Sequence, residues 1–135
     1  MHPDRPLRVF LVEDSSVLRE RLTESLGTLA SVQIVGSSDS EQNAIDALRQ
    51  MECDAVVLDL QLKHGNGLNV LKSIRQAEAD GHHTVVIVLT NYAFSLYRHR
   101  CLQAGADFYL DKARDYERLP QVLGAVAEGK TALSD

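Results

Sequence analysis

The sequence predicts an α/β fold, a doubly wound (βα)5 three-layer sandwich around a parallel five-stranded sheet. Apolar runs of strand length alternate five times with segments whose apolar residues recur at helical spacing. The links between them are short, as βα units require. LRVFLV is a short apolar run suited to a buried strand, and TVVIVLT shows no polar alternation, which marks a strand covered on both faces. Right-handed crossovers then place the helices on both sides of the sheet.

LRVFLV (Leu7–Val12) suits the first strand, and Asp14 to Ser16 supply an N-cap for the helix that follows, with Leu18, Leu22, Leu26 and Leu29 as its inward stripe. VQIVGS at 32–37 is the second strand. Ser40 can cap a second helix marked by Ala44, Ile45, Leu48 and Met51. DAVVLDL holds the third strand, and after the loop KHGNG the residues Leu68, Leu71, Ile74 and Ala77 form a third stripe, closed by the turn at Gly81. TVVIVLT at 84–90, with four β-branched apolar residues, is the fourth strand. Phe94, Tyr97, Cys101 and Ala104 fit a fourth helix ending at Gly105. ADFYLDK contains a short fifth strand. Leu119, Val122, Leu123 and Val126 mark a fifth helix, with Pro120 tolerable only in its first turn.

The 135 residues suit one domain with a single core, here spanning about 7–128. Apolar residues at 44% and charged residues at 24% exclude disordered and collagen-like classes. A net charge of −5 argues against a broad basic face for nucleic-acid backbone unless Arg98, Arg100 and their neighbours cluster, so nucleic acid is not an expected partner of this chain alone. The start, MHPDRPLRVFLVED, has prolines and charges around a short apolar run. That is neither a signal peptide nor a membrane span, and a cytoplasmic location is expected. Cys53 and Cys101 lack CxxC spacing and read as separate thiols of a reducing compartment. His64, His82 and His83 show no convincing metal-ligand pattern.

In open parallel sheets, ligands bind beyond the carboxyl ends of the strands where the strand order switches. Those ends carry Glu13 and Asp14, Asp59, Thr90, and Lys112. With the flavodoxin-like strand order 2-1-3-4-5, all five side chains converge on one shallow pocket. Three carboxylates at 4–6 Å repel by about 3–4 kcal/mol per pair at an effective dielectric near 20. Lys112 offsets part of this. A hard divalent cation offsets the rest, and Mg²⁺ fits because it takes oxygen ligands, uses few carboxylates and keeps several waters. Each residue alone also has an ordinary reading: Asp14 and Thr90 as helix caps, Lys112 as a surface lysine.

The pattern of Glu13-Asp14, Asp59 with Gly67 eight residues on, Thr90, then Tyr109 and Lys112 three apart, resembles the response regulator receiver domain of two-component phosphorelay signalling. The resemblance implies that Asp59 is the phosphoacceptor, taking a phosphoryl group from a sensor histidine kinase or a histidine phosphotransfer protein. It implies that Asp14, Asp59 and the backbone carbonyl of Gln61 bind Mg²⁺, with Glu13 acting on a metal-bound water, and that Lys112 pairs with a phosphoryl oxygen. Thr90 and Tyr109 match the switch pair that reshapes the surface of helix four, strand five and helix five. That surface addresses a downstream protein or output domain, or a second copy in a homodimer. LYRHR at 96–100 is the candidate contact stretch on it, with an ordinary solvated helix face as the alternative reading. Such a protein is no enzyme beyond catalysing its own phosphorylation and dephosphorylation.

Three positions depart from the family pattern. Lys63 and Ala113 stand where proline is usual, which implies a less rigid acceptor loop and a less certain placement of Lys112. Asn91, followed by Tyr92, stands where a small residue is usual, and with Gln61 the pair is expected to narrow water access to the phosphoryl group. Among other readings, a haloacid-dehalogenase-type phosphatase needs a second Asp where Gln61 stands. A nucleotide-binding fold needs a Gly-rich turn where EDSS stands. A flavin binder is compatible with the fold alone. A receiver fold used only as an unphosphorylated binding module is the main alternative. The chain reads equally as a stand-alone regulator or as a piece of a longer one.

Overall fold

The computed structural model describes residues 5–78, 81–91 and 95–129. Five strands, β1 (Leu7–Val12), β2 (Val32–Ser38), β3 (Ala55–Leu58), β4 (Val85–Thr90) and β5 (Phe108–Asp111), alternate with five helices. The helices are α1 (Ser16–Gly27), α2 (Glu41–Arg49), α3 (Gly67–Ala77), α4 (Ser95–Gln103) and α5 (Leu119–Ala127). All strand pairs are parallel, in the order β2-β1-β3-β4-β5. This is the expected flavodoxin-like doubly wound sheet.

The unbroken apolar runs behave as anticipated. Every residue of β3 and β4 is buried, because both faces of these central strands are covered. On one face Val9, Leu11, Val57, Ile87 and Leu89 meet Leu22 and Leu26 of α1 and Leu119, Val122, Leu123 and Val126 of α5. On the other, Phe10, Val56, Leu58 and Val88 meet Ala44 of α2, Val70, Leu71 and Ile74 of α3, and Cys101 of α4. Side chains of successive strand residues point to opposite faces, so one strand feeds both cores.

Local chemistry sets the helix ends. Ser15, not Asp14, caps α1, its hydroxyl accepting from Leu18 N–H at 3.2 Å. Ser40 caps α2 as expected, and Asn66 caps α3, accepting from Leu68 N–H at 2.7 Å. Leu29 lies beyond the end of α1 but still packs on the first core. The fourth helix departs most from expectation. Only Cys101 of its stripe is fully buried among the described residues of α4, and Tyr97 is 41% exposed. Phe94, expected to open that stripe, lies outside the described residues. A 3₁₀ turn, Tyr116–Arg118, leads into α5 and was not legible from periodicity.

At the amino edge of the sheet, Asp54 and Asp107 each accept a strand N–H, from Arg8 and Val86 at 2.8 Å. Arg75 of α3 ties the same edge together, donating to the carbonyls of Thr84 and Gly105 and pairing with Asp107 and Glu78. These bonds leave the opposite, carboxyl edge as the one with open chemistry.

Two predictions follow from this packing. A Cβ on Gly67 would sit 2.1 Å from the Asp59 carbonyl oxygen and 2.8 Å from Leu60 Cα, both backbone atoms that cannot rotate away. Gly67→Ala is expected to lower stability by about 1–3 kcal/mol, read as a lower urea midpoint. Burial pushes the Cys53 thiol up to about 11. Iodoacetamide at pH 8 is therefore expected to leave Cys53 unmodified in the native protein and to alkylate it in urea.

Candidate functional site

Three residues of the site are each the first residue past a strand, fixed by one last ladder hydrogen bond. Glu13 N–H donates to Ser38 carbonyl at 3.0 Å, Asp59 N–H to Val12 carbonyl at 3.0 Å, and Lys112 N–H to Thr90 carbonyl at 2.8 Å. The ladder ends there, and the side chains of Glu13, Asp59 and Lys112 meet. Lys112 Nζ lies 2.6 Å from Glu13 Oε1 and 2.8 Å from Asp59 Oδ2. Glu13, Asp14 and Asp59 each bring an oxygen within 4.8 Å of the others. Of the five side chains expected to converge, the structure brings Glu13, Asp14, Asp59 and Lys112 together.

Burial makes the electrostatics strong. Glu13 is 3% and Asp59 6% exposed. Burial raises the Glu13 carboxyl above its ordinary range, against the lowering effect of its hydrogen bonds to Lys112 and to Ser15 N–H. For Lys112, burial disfavours the ammonium, yet its hydrogen bonds to Asp59 and Glu13 outweigh that and raise its pKa. Three carboxylates against one ammonium leave the cluster short of positive charge. Hard oxygen donors at this spacing suit a hard divalent cation, and Mg²⁺ needs only a few of them.

The loop after β3 encloses the cluster. Gln61 N–H donates to Asp59 Oδ1 at 3.2 Å, and Lys63 N–H donates to Asp14 Oδ2 at 2.8 Å. Gln61 also pairs with Asn66 in an isolated antiparallel bridge, which places the Gln61 backbone beside the cluster. At Lys63, where a proline would stiffen the loop, the amide that a proline lacks ties the loop to Asp14. The same holds at Ala113, whose N–H donates to Asp111 Oδ1 at 2.8 Å and so closes the turn that turns Lys112 inward.

Thr90 is fully buried, one strand away, and joins the site through its carbonyl bond to Lys112. Tyr109 is half-buried beside the second core and pairs in register with Val88; burial, first among several causes, pushes its phenol up to about 12. Asn91 is exposed, and Tyr92 lies outside the described residues. His83 contacts Asp107 and His82 contacts Thr84, at the amino edge and away from the cluster. Glu41, which no sequence argument singled out, holds the acceptor loop from α2. A first-turn acid after a Ser cap looks ordinary in sequence, so it carried no signal. Among the described residues no helix is long and apolar enough to cross a membrane.

Comparison with known proteins agrees with this geometry. The chain is 30% identical over 130 residues to the nitrate/nitrite response regulator protein NarP of Escherichia coli K12, covering 96% of this chain and 59% of that protein. It is 26% identical over 125 residues to the Fimbriae Z protein of Salmonella typhimurium, covering 93% of this chain and 58% of that protein. The chain thus spans about three fifths of the length of these curated relatives. Among solved structures, a LuxR-family two-component response regulator from Aurantimonas sp. SI85-9A1 superposes with a TM-score of 0.84 at 27% identity, covering 96% of this chain and 90% of that one. The receiver domain of a sensor histidine kinase from Pseudomonas aeruginosa PAO1, with a magnesium ion coordinated in its active site cleft, superposes with a TM-score of 0.72 at 27% identity, covering 93% and 99%. A family model described as the response regulator receiver domain matches residues 9–124, and the chain belongs to that family.

Proposed function

We propose that this receiver accepts a phosphoryl group on Asp59 from a phosphohistidine of a sensor histidine kinase or histidine phosphotransfer protein, in a Mg²⁺-dependent reaction. The observation that carries the reading is Lys112 Nζ held between Glu13 and Asp59 inside a cluster of three carboxylates. A carboxylate oxygen of Asp59 forms a bond to phosphorus while the phosphorus–nitrogen bond of the donor breaks, its electron pair staying on the imidazole. The carboxylate oxygen is itself the nucleophile, so the attack needs no general base. Lys112 exchanges its bond to Asp59 Oδ2 for one to a phosphoryl oxygen and so follows the transferring charge. Asp14, Asp59 and the Gln61 carbonyl are the candidate Mg²⁺ ligands, with Glu13 reaching the ion through water. When bound, Mg²⁺ supplies positive charge to the phosphoryl oxygens.

Thr90 and Tyr109 form the switch in this reading. The Thr90 hydroxyl donates to a phosphoryl oxygen, and the Tyr109 ring, beside the second core, turns into the vacated space. Phosphorylation then favours one of two packings of α4, β5 and α5. Leu96, Tyr97, Arg98, His99 and Arg100 of α4 are exposed, and those of them that border β5 and α5 are the contacts offered to a downstream protein, an output domain or a second copy. We read residues 7–128 as one receiver unit, cytoplasmic, acting on no substrate beyond its own phosphorylation and dephosphorylation. DNA contact, where it occurs, belongs in this reading to an output module and not to this acidic chain.

Two experiments test the reading. Incubation with Mg²⁺ and acetyl phosphate is expected to add the mass of one phosphoryl group to the wild-type chain, and none to Asp59→Asn or to wild type in EDTA; no gain in wild type overturns it. Lys112→Met removes the only ammonium that contacts both Glu13 and Asp59 among the described residues. Stripping one partner from a buried ion pair costs about 3–5 kcal/mol, so urea denaturation in EDTA at pH 7 should show a loss of that order and added Mg²⁺ should restore part of it. Burial raises the folded Glu13 carboxyl and Lys112 lowers it, so removing Lys112 raises it further above its unfolded value; proton uptake then favours the folded variant more than folded wild type, and the loss should shrink as pH falls.

A further inference from the structure

We infer that Glu41, on the first turn of α2, is a positioning residue for the cation site: it fixes the backbone of the acceptor loop that shapes the carboxylate cluster. The inference rests on the cation reading above. Glu41 grips the loop in both directions. Its backbone N–H donates to the His64 carbonyl at 3.0 Å, and its Oε1 accepts from Asn66 N–H at 2.9 Å and from Asn69 Nδ2 at 3.1 Å. A first-turn helix amide has no partner within its own helix, so the His64 carbonyl satisfies a group that otherwise needs water.

The loop is seated directly against this residue. Gly65 has a φ of +101°, and a Cβ there would lie 2.3 Å from Glu41 Cβ, so the backbone approaches as closely as a side chain allows. From the clamp, two short paths reach the cluster. Asn66 pairs with Gln61, whose N–H holds Asp59 Oδ1. His64 follows Lys63, whose N–H holds Asp14 Oδ2. Both carboxylates are therefore oriented by loop amides whose positions Glu41 sets. Groups that orient metal ligands commonly change metal affinity 10–100-fold when removed.

Two plainer roles make different predictions. A first-turn acid that only favours the α2 dipole affects stability and leaves cation affinity alone. An acid that only adds negative field loses that effect equally on change to Gln or to Ala. Glu41→Gln removes the charge but keeps an oxygen able to accept from Asn66 and Asn69, and so separates position from charge.

The test is Mg²⁺ titration of the full chain by calorimetry, without phosphodonor, with folding followed by circular dichroism. Glu41→Ala should bind Mg²⁺ about tenfold more weakly than wild type, Glu41→Gln should stay within about twofold of wild type because it keeps the acceptor, and Asn69→Ala should fall between the two. Wild-type affinity in Glu41→Ala, or Glu41→Gln as weak as Glu41→Ala, overturns the inference while leaving the cation site standing. If Glu41→Ala does not fold, Asn69→Ala, altered at an exposed position, carries the test, and unchanged affinity there overturns it. Absence of Mg²⁺ binding by the wild-type chain overturns the cation site itself, and this inference falls with it.

Discussion

Three carboxylates gathered at the end of a buried parallel sheet set the terms for the rest of this molecule. Glu13, Asp14 and Asp59 lie close enough to repel, and two of them are nearly out of water. They persist because Lys112 sits against Glu13 and Asp59 and because loop and helix-end amides donate to all three. The cluster still lacks positive charge. That imbalance makes it receptive to a divalent cation and to chemistry in which negative oxygens come and go.

The fold produces this concentration of charge by ending its ladders at one edge. Glu13, Asp59 and Lys112 each spend a backbone N–H on the final ladder bond and then turn their side chains out of the sheet. Because the strand order switches beside β1, the ends of β1 and β3 are neighbours, so acids far apart in sequence become adjacent. The amino edge is closed by Asp54, Asp107 and Arg75. One edge of the same sheet is locked, and the other is reactive.

The two places where the sequence lacks a usual proline illustrate how local identity is reinterpreted by tertiary contact. At Lys63 and Ala113 the missing ring leaves an amide, and each amide is used: one on Asp14, the other on Asp111. In place of the ring, hydrogen bonds hold the chain here, and the loop after β3 gains further anchoring from Glu41.

The sequence by itself determined the sheet and its five helices. Those features follow from short-range signals: unbroken apolar runs such as TVVIVLT, helical stripes such as Leu119, Val122, Leu123 and Val126, and caps such as Ser40. The weak point was α4, where the stripe through Tyr97 suggested burial and the structure leaves Tyr97 exposed, because LYRHR has no clean apolar face to bury. Tertiary structure alone decided which oxygen meets which nitrogen: Lys112 on both Glu13 and Asp59, the Lys63 amide on Asp14, Glu41 on the acceptor loop. The physical reason is separation along the chain. Apolar periodicity is written within a dozen residues, whereas these contacts join groups from 25 residues apart (Glu41 and Asn66) to 99 apart (Glu13 and Lys112), and a backbone amide carries no mark in the sequence of where it will donate.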